Sequence, residues 1–160
     1  MDEPEAFDLD RFLPYLLNVL ASRASHELAA VYEARFGITI PEWRVIAHLA
    51  QNRKVSVRDV HARADMDKSK ASRAAARLEA AGLLEKRVNA GDRRLVELSL
   101  TRRGRRLFAE IAPLALAFER DFTAALSADE TVALRAMVGK LLAAGGEGRD
   151  TAGADADDAD

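Results

Sequence analysis

Apolar side chains recur every three to four residues along most of the chain, which is the period of an amphipathic helix. The first run extends from about Phe7 to Phe36. Its apolar stripe is richer near the start than one small domain needs, which indicates burial against a partner subunit. Gly37 is a helix stop signal, and Pro41 stands early in a second predicted helix whose apolar face includes Trp43.

Two shorter helical runs follow in the middle of the chain. Ser56 is a candidate N-cap for the first run, and Asp67 is a candidate N-cap for the second, which ends at Gly82. The residues expected to face inward are Val57, Val60, Ala64, Ala71, Ala74, Ala75 and Leu78. Two short helices joined by a tight turn predict a helix-turn-helix.

A β-hairpin is predicted between Leu83 and Leu100. Apolar and polar residues alternate over 96–100, which is the period of a strand with one buried face, and 89–92 has the composition of a turn. Arg93 and Arg94 therefore protrude at or just past the turn. Taken alone, an exposed arginine pair is as often a solvated surface feature as a binding site.

Two further helices complete the chain. Thr101 caps a long helix, and Ser127 with Glu130 forms a capping box that opens the last one, which the glycine pair at 145–146 is expected to stop. The residues expected to face inward are Leu107, Ile111, Leu114, Phe118, Phe122, Leu126, Leu134, Met137, Val138, Leu141 and Leu142. Residues 146–160 are acidic and lack bulky apolar side chains, which predicts disorder.

Composition narrows the functional classes. The 160 residues include no cysteine, which excludes a disulfide framework, a thiolate metal site and a cysteine-based peroxide sensor. No apolar run approaches the roughly 20 residues that span a bilayer, and the first ten residues are acidic, unlike a signal peptide. We therefore expect a cytoplasmic protein that makes no membrane contact.

The distribution of charge is more informative than the total of −2. Residues 53–106 carry 16 Lys and Arg against 7 Asp and Glu, a net charge of +9, whereas the rest of the chain carries 8 against 19, a net charge of −11. A basic block inside an acidic protein is typical of a segment that neutralises phosphates while the remainder maintains solubility.

The outward face of the helix after Asp67 has the chemistry that a DNA major groove requires. The helical period points donors and small side chains away from the core: Lys68, Ser69, Lys70, Ser72, Arg73, Ala76 and Arg77. A slim face lets the helix backbone approach base edges, and Arg73 is able to pair with guanine through two hydrogen bonds. Most charged helices are simply solvated, but the preceding helix and the following basic hairpin make this combination a winged helix.

The hairpin between Leu83 and Leu100 is the wing of this motif. Arginines at its tip suit the minor groove next to the major groove that the helix would enter, because the minor groove concentrates negative potential. We expect Asp92 to pair with Arg94 and orient it, beside Arg93. Arg102 and Arg103 stand at a helix N-terminus, where they oppose the helix dipole, and a DNA phosphate is the expected compensating anion.

These residues resemble the multiple-antibiotic-resistance regulator (MarR) family of bacterial transcription factors. The sequence Asp92-Arg93-Arg94 followed by Leu98-Ser99-Leu100-Thr101 matches the family's DxR and LxLT wing pattern, and the basic block at 55–87 looks like its helix-turn-helix. The resemblance covers about residues 7–143. It implies a mainly α (α+β) fold, in which a winged helix-turn-helix is flanked by long helices that form a dimerisation region.

The resemblance also implies which segment of the chain has which function. Residues 1–36 would be a dimerisation helix, 37–100 the DNA-binding lobe, 101–145 the C-terminal dimerisation helices and 146–160 a disordered acidic tail. Family members are homodimers that usually repress nearby genes and release double-stranded DNA when a small phenolic or aromatic effector binds. That effector crevice would be lined by Leu16, Arg23, His26, Trp43, Arg44, Ala47, Phe108 and Ile111. An aromatic acid or its CoA thioester is one possible effector.

Other functions remain as alternatives. The chain is either this regulator, an effector-independent DNA-binding protein, or a dimeric module whose winged helix binds another protein. His26, His48 and His61 are scattered, so neither a metal site nor a cofactor is predicted. An enzyme is the last alternative, because no catalytic spacing stands out.

Overall fold

The structure is a computed structural model that describes residues 7–52, 55–56, 59, 66–88 and 96–147. After a short 3₁₀ turn at Leu9–Arg11, the helices within these ranges are α1 (Leu13–Phe36), α2 (Ile40–Gln51), α3 (Lys68–Ala80), α4 (Arg102–Phe122) and α5 (Ala128–Glu147). The strands are β1 (Val55–Ser56), β2 (Leu84–Val88) and β3 (Val96–Leu100). The mainly helical α+β fold class is confirmed. The chain forms two compact units, residues 1–118 and 119–160.

Helix α1 begins later than its apolar period predicts. The prediction of a helix from Phe7 is wrong, because Asp8 caps the 3₁₀ turn by accepting a hydrogen bond from the Asp10 amide at 3.0 Å. The α-helix itself starts at Leu13 with Pro14 in its first turn, where a missing N–H costs nothing. The predicted stop at Gly37 is confirmed, since that glycine adopts the left-handed conformation at φ 65°.

The sheet has the strand order β1-β3-β2, and both pairings are antiparallel. Leu84 lies opposite Leu100, and Lys86 lies opposite Leu98, so the hairpin prediction is confirmed. Leu98 and Leu100 are buried as predicted, whereas Val96 is exposed. Residues 89–95, which include the predicted turn, lie outside the described residues.

The start of the helix-turn-helix differs in one detail from the prediction. Ser56, expected as an N-cap, lies in the short strand β1, where it is opposite Glu97. Asp59 is helical, and the rest of the short helix predicted after Ser56 lies outside the described residues. The second helix, α3, is confirmed together with its inward residues.

The core of the first unit is shared by the helices and the sheet. Helices α1 and α2 contribute Tyr32 and Ile46, α3 contributes Leu78, β3 contributes Leu98 and α4 contributes Ile111, all of which are less than 2% exposed. Burying aliphatic and aromatic side chains of this size contributes about 1.5–3 kcal/mol each. This shared core fixes α3 and the hairpin to the same scaffold.

The second unit corrects two predictions. Its helix α5 opens with the predicted capping box, since Glu130 accepts from the Ser127 amide at 2.8 Å, but it runs through the glycine pair at 145–146 to Glu147. Apolar residues expected to face inward are instead exposed in the single chain. On α5 these residues are Met137, Val138, Leu141 and Leu142, and before that helix they are Phe122 and Leu126. The predicted disordered tail lies outside the described residues from 148 onward.

No helix in the described ranges is long and apolar enough to cross a membrane.

Candidate nucleic-acid interface

Helix α3 is held in place at its first turn by the N-cap predicted from sequence. The Asp67 carboxylate accepts a hydrogen bond from the Lys70 amide at 2.8 Å and lies 3.4 Å from the Lys70 ammonium. The hydrogen bond from the Lys70 backbone lowers the pKa of Asp67. The carboxylate therefore stays ionised at neutral pH, where it satisfies one of the free amides that begin every helix.

The two faces of α3 differ sharply in burial. Its inward face is small and apolar, and Ala71, Ala74, Ala75 and Leu78 are each at most 4% exposed. Small side chains let α3 pack closely on α2 while the opposite face remains in solvent. The exposed residues on α3 are Lys68, Ser69, Lys70, Ser72, Arg73, Ala76 and Arg77, together with Glu79 and Ala80 in its last turn. The structure thus brings together on one helix the six α3 residues predicted to contact DNA, and their contact with DNA stays a prediction.

The junction between α3, β2 and α4 is a set of contacts that sequence reasoning missed. The Thr101 hydroxyl donates to the Gly82 carbonyl at 2.8 Å, and the Arg103 guanidinium donates to the Ala81 carbonyl at 3.0 Å. Gly104 packs so closely on Leu83 that an added Cβ would lie 2.0 Å from the Leu83 carbonyl oxygen. We name this contact region of 81–83 with 101–104 the α3–α4 junction.

The α3–α4 junction changes the interpretation of the arginines at the start of α4. Arg103 places its positive charge at the C-terminal end of α3, where the helix dipole favours a cation. Arg105 donates to the Leu100 carbonyl, at the end of β3. For Arg103, the unfavourable position at the α4 N-terminus is thus offset by a contact inside the protein. A DNA contact for Arg102, which is exposed, and for Arg103 stays a prediction.

The base of the wing is tied to α3 by an ion pair. The Lys86 ammonium lies 2.6 Å from the Glu79 carboxylate, which joins β2 to the last turn of α3. Asp92, Arg93 and Arg94, and with them the proposed Asp92–Arg94 pair, lie outside the described residues. The DNA contacts predicted for these three residues stay a prediction.

The residues predicted to line an effector crevice occupy several environments. Trp43 stacks on Phe108 with ring centroids 5.9 Å apart and packs at 5.6 Å on Tyr32, whose burial raises its pKa to about 12. Ile111 is fully buried in the core, and Arg44 and Ala47 are half-buried. On α1, Leu16, Arg23 and His26 are exposed, and the His26 ring Nδ1 lies 2.7 Å from the Ser22 carbonyl oxygen.

A cleft in the first unit involves a different set of residues. Phe108 is the member of the predicted crevice set that lines it, among the residues that the structure describes. Sequence reasoning missed the others because they come from four elements, α2, β2, β3 and α4, which are separated along the chain. No group of three or more His, Asp or Glu in the described ranges is arranged to hold a metal ion.

Comparisons with known proteins agree with the winged-helix geometry. The MarR family model matches residues 36–95, from the last residue of α1 to the residue before β3. No curated protein gives a significant match. The family resemblance inferred from sequence is therefore supported over the segment from α2 to β2.

Solved structures extend the similarity over most of the chain. A MarR/EmrR family transcriptional regulator from Acinetobacter sp. ADP1 is 25% identical, with a TM-score of 0.81 over 88% of this chain and 99% of that chain. A MarR family transcriptional regulator from Silicibacter pomeroyi DSS is 25% identical, with a TM-score of 0.76 over 89% of this chain and 96% of that chain. BpsR from Bordetella bronchiseptica shares the fold at 23% identity, with a TM-score of 0.78 over 86% of this chain and 97% of that chain.

Proposed function

We infer that the chain is a member of the MarR family of winged-helix transcriptional regulators, whose family model matches residues 36–95, and from that premise we propose that it is a homodimeric repressor that leaves its operator when a small aromatic effector binds. In this proposal residues 37–100 contact DNA, residues 1–36 and 101–145 serve dimerisation, and 146–160 is an acidic tail. The DNA-contacting residues are Lys68, Ser69, Lys70, Ser72, Arg73, Arg77, Asp92, Arg93, Arg94, Arg102 and Arg103.

The observation that carries the proposal is the composition of the exposed face of α3. Lys68, Lys70, Arg73 and Arg77 are all exposed, and the residues between them on this face are serines and alanine. A helix needs such a slim and basic surface to enter the major groove. The rigid N-cap at Asp67 and the contacts of the α3–α4 junction favour a helix that is already ordered before DNA binds.

Exposed apolar side chains support the dimer. Helix α1 exposes Leu13, Leu16 and Leu20 by 42–54%, and α5 exposes Leu141 by 53% and Leu142 by 72%. Rows of exposed leucines mark interaction surfaces in soluble proteins. A two-fold dimer presents two copies of α3 about one helical turn of DNA apart, so its operator is expected to be a pseudo-palindrome.

Effector control is supported by analogy with a protein of the same fold. BpsR from Bordetella bronchiseptica has its DNA binding regulated by 6-hydroxynicotinic acid. An effector acts only to the extent that it prefers a DNA-incompetent spacing of the two lobes. Repression, rather than activation, is part of the proposal.

Selection of duplexes from a random pool by the purified full-length protein tests the proposed function. We expect enrichment of a pseudo-palindrome, and fluorescence anisotropy on the enriched duplex should then give binding that weakens steeply with salt. Arg73→Gln should weaken binding to the enriched duplex, whereas Arg106→Gln, on the same basic block, serves as the control. If the pool yields no palindrome and no duplex binds at low salt, the proposed function is wrong and the protein-interaction alternative is favoured.

A further inference from the structure

Helix α3 carries a single acidic residue, Glu79, in its last turn. The spacing of Ser69, Ser72, Ala76 and Glu79 follows the helical period, so all four lie along one side of α3, and all four are exposed. Two electrostatic effects act against a carboxylate at this position. It repels the phosphates of a bound duplex, and it stands at the negative end of the helix dipole. A nearby cation is needed to offset both effects.

Lys86 of β2 supplies that cation. Its ammonium lies 2.6 Å from the Glu79 carboxylate, and the Lys86 and Glu79 side chains are 34% and 42% exposed. Lys86 stands opposite Leu98 in the sheet register, between the buried Leu84 and the exposed Val88 on the same strand. Because side chains alternate along a strand, Leu84, Lys86 and Val88 share one face of β2. Lys86 therefore contacts α3 at the point where this face leaves the core.

The neighbouring charges of β2 have partners within the sheet instead. The Glu85 carboxylate pairs with the Arg87 guanidinium at 3.2 Å and accepts a hydrogen bond from the Ser99 hydroxyl at 3.1 Å. By the same alternation, Glu85 and Arg87 lie on the other face of β2. Lys86 differs from them because its ion pair leaves the sheet and joins the wing to α3.

The ion pair spans the connection between α3 and β2. This connection consists of residues 81–83, and Gly82 within it has φ 69°. The α3–α4 junction fixes the connection to the start of α4, but the hydrogen bonds of the junction lie at the connection itself. The Glu79–Lys86 pair joins residues on either side of it. The pair therefore restrains rotation of the wing strands about the connection.

From this arrangement we propose that Glu79 is a positioning residue for DNA binding, which acts through Lys86 to hold the wing strands in the orientation to α3 at which both elements contact one duplex. This inference rests on the proposed function, in which α3 and the wing bind DNA together. With the ion pair formed before binding, the duplex meets a surface that is already ordered. Without it, the wing has to be ordered as DNA binds, which weakens the complex.

Alanine substitution of Glu79 separates positioning from charge, because the two effects have opposite signs. Charge alone predicts that Glu79→Ala binds the selected duplex more tightly, since one repulsive carboxylate is lost from each subunit. Positioning predicts weaker binding. We expect a loss of about three- to tenfold by fluorescence anisotropy, because an exposed ion pair is weak but occurs twice in a dimer. Binding as tight as that of the wild type, or tighter, would overturn the proposal.

Glu85→Ala is the matched control. The Glu85 and Glu79 side chains are 41% and 42% exposed, and each forms an ion pair, but the partner of Glu85 lies on its own strand. Glu85→Ala should therefore bind the duplex within about twofold of the wild type. Thermal unfolding of Glu79→Ala should stay within about 2 °C of the wild type, as for loss of an exposed ion pair. A loss of affinity in Glu85→Ala as large as that in Glu79→Ala would contradict the assignment.

Variants of Lys86 distinguish positioning from a direct contact between Lys86 and a phosphate. If Lys86 acts through Glu79, Lys86→Ala should weaken binding about as much as Glu79→Ala, and the double variant should be no weaker than either single variant. The exchanged pair, Glu79→Lys with Lys86→Glu, keeps the net charge and should bind within about threefold of the wild type. A direct phosphate contact would instead give additive losses and a salt slope reduced in magnitude by about 2 in Lys86→Ala.

Hydrogen exchange of the DNA-free protein separates failure of this inference from failure of the proposed function. The amides of β2 and β3 should exchange at least about threefold faster in Glu79→Ala than in the wild type, whereas loss of an exposed carboxylate on α4, in Glu110→Ala, should leave them unchanged. A protein that binds its selected duplex, with the same affinity and exchange in Glu79→Ala, refutes positioning alone. Faster exchange in Glu79→Ala without duplex binding by the wild type refutes the proposed function and leaves the restraint on the wing in place.

Discussion

Substitution of Gly104 by alanine perturbs the α3–α4 junction at one atom. The new Cβ would lie 2.0 Å from the carbonyl oxygen of Leu83, 3.0 Å from its carbonyl carbon and 3.3 Å from a Leu100 methyl group. The first of these contacts is far too short for a carbon and an oxygen, and the obstacle is backbone rather than a flexible side chain. Residues 83 or 104 must therefore move.

The cost of that movement follows from what holds Leu83. Its carbonyl oxygen accepts from the Thr101 amide at 3.1 Å, and its amide donates to the Leu78 carbonyl at 2.9 Å. Overpacking costs about 1–3 kcal/mol, and each weakened hydrogen bond adds about 0.5–1.5 kcal/mol. We expect Gly104→Ala to lower the free energy of unfolding by about 3 kcal/mol, which corresponds to roughly 6–12 °C in Tm for a chain of this size.

Thermal unfolding followed by circular dichroism measures this loss, and a second glycine supplies the control. Gly139 lies inside α5 with nothing described within 4 Å of an added Cβ, so Gly139→Ala should stabilise the helix by about 0.5–1 kcal/mol. Gly104→Ala should also weaken duplex binding, because the shift moves the end of α3 against α4. A Gly104→Ala protein that unfolds within a degree of the wild type would refute the geometry of the junction.

Three further predictions concern the DNA-binding face, the core and the subunit contact. Arg73→Ala should relax base preference, whereas Arg94→Ala should weaken all sequences more evenly, because a wing arginine reads the potential of the minor groove; equal loss of specificity in a duplex selection would contradict the assignment. Burial raises the pKa of Tyr32 from 10.0 to about 12, so its contribution is complete below pH 10 and is lost as the pH rises towards 12. This loss is about 2–3 kcal/mol, and urea unfolding of Tyr32→Phe should show a weaker pH dependence in that window; identical curves would refute it. Leu16→Asp or Leu141→Asp should give monomers by light scattering, whereas Gln51→Asp, at an exposed position outside the proposed dimerisation segments, should not. An intact dimer in both leucine variants would contradict the proposed interface.

Much of the candidate nucleic-acid interface was predictable because the sequence patterns that determine it lie within single elements. The N-cap at Asp67 and the inward alanines of α3 depend on residues at most four positions apart, and both were predicted from the sequence. The hairpin between Leu83 and Leu100 was predicted from the alternation over 96–100 and the turn composition of 89–92, and β2 and β3 pair within it. Spacing within one element was sufficient for each of these features.

The wrong predictions and the missed contacts occur where residues distant in sequence, or opposing local signals, determine the structure. The contact of Arg103 with Ala81 joins residues 22 positions apart, and no periodicity reports such a contact. The glycine pair at 145–146 did not stop α5, because glycine weakens a helix by only about 1 kcal/mol and is tolerated near its end. Leu141 and Leu142 were expected to face inward because they follow an apolar helical period, but both are exposed in the single chain. Such a period does not show whether the surface that covers these residues belongs to the same chain.

The salt dependence of duplex binding tests most directly whether the basic face of α3 holds DNA. Four cations on α3, Lys68, Lys70, Arg73 and Arg77, occur twice in a dimer and contribute about −7 to the slope of log K against log salt, which the other proposed arginine contacts make steeper. Lys70→Ala should reduce the magnitude of that slope by about 2, since one phosphate contact is lost in each subunit. A slope near zero, or one that Lys70→Ala leaves unchanged, would contradict a DNA contact through this face.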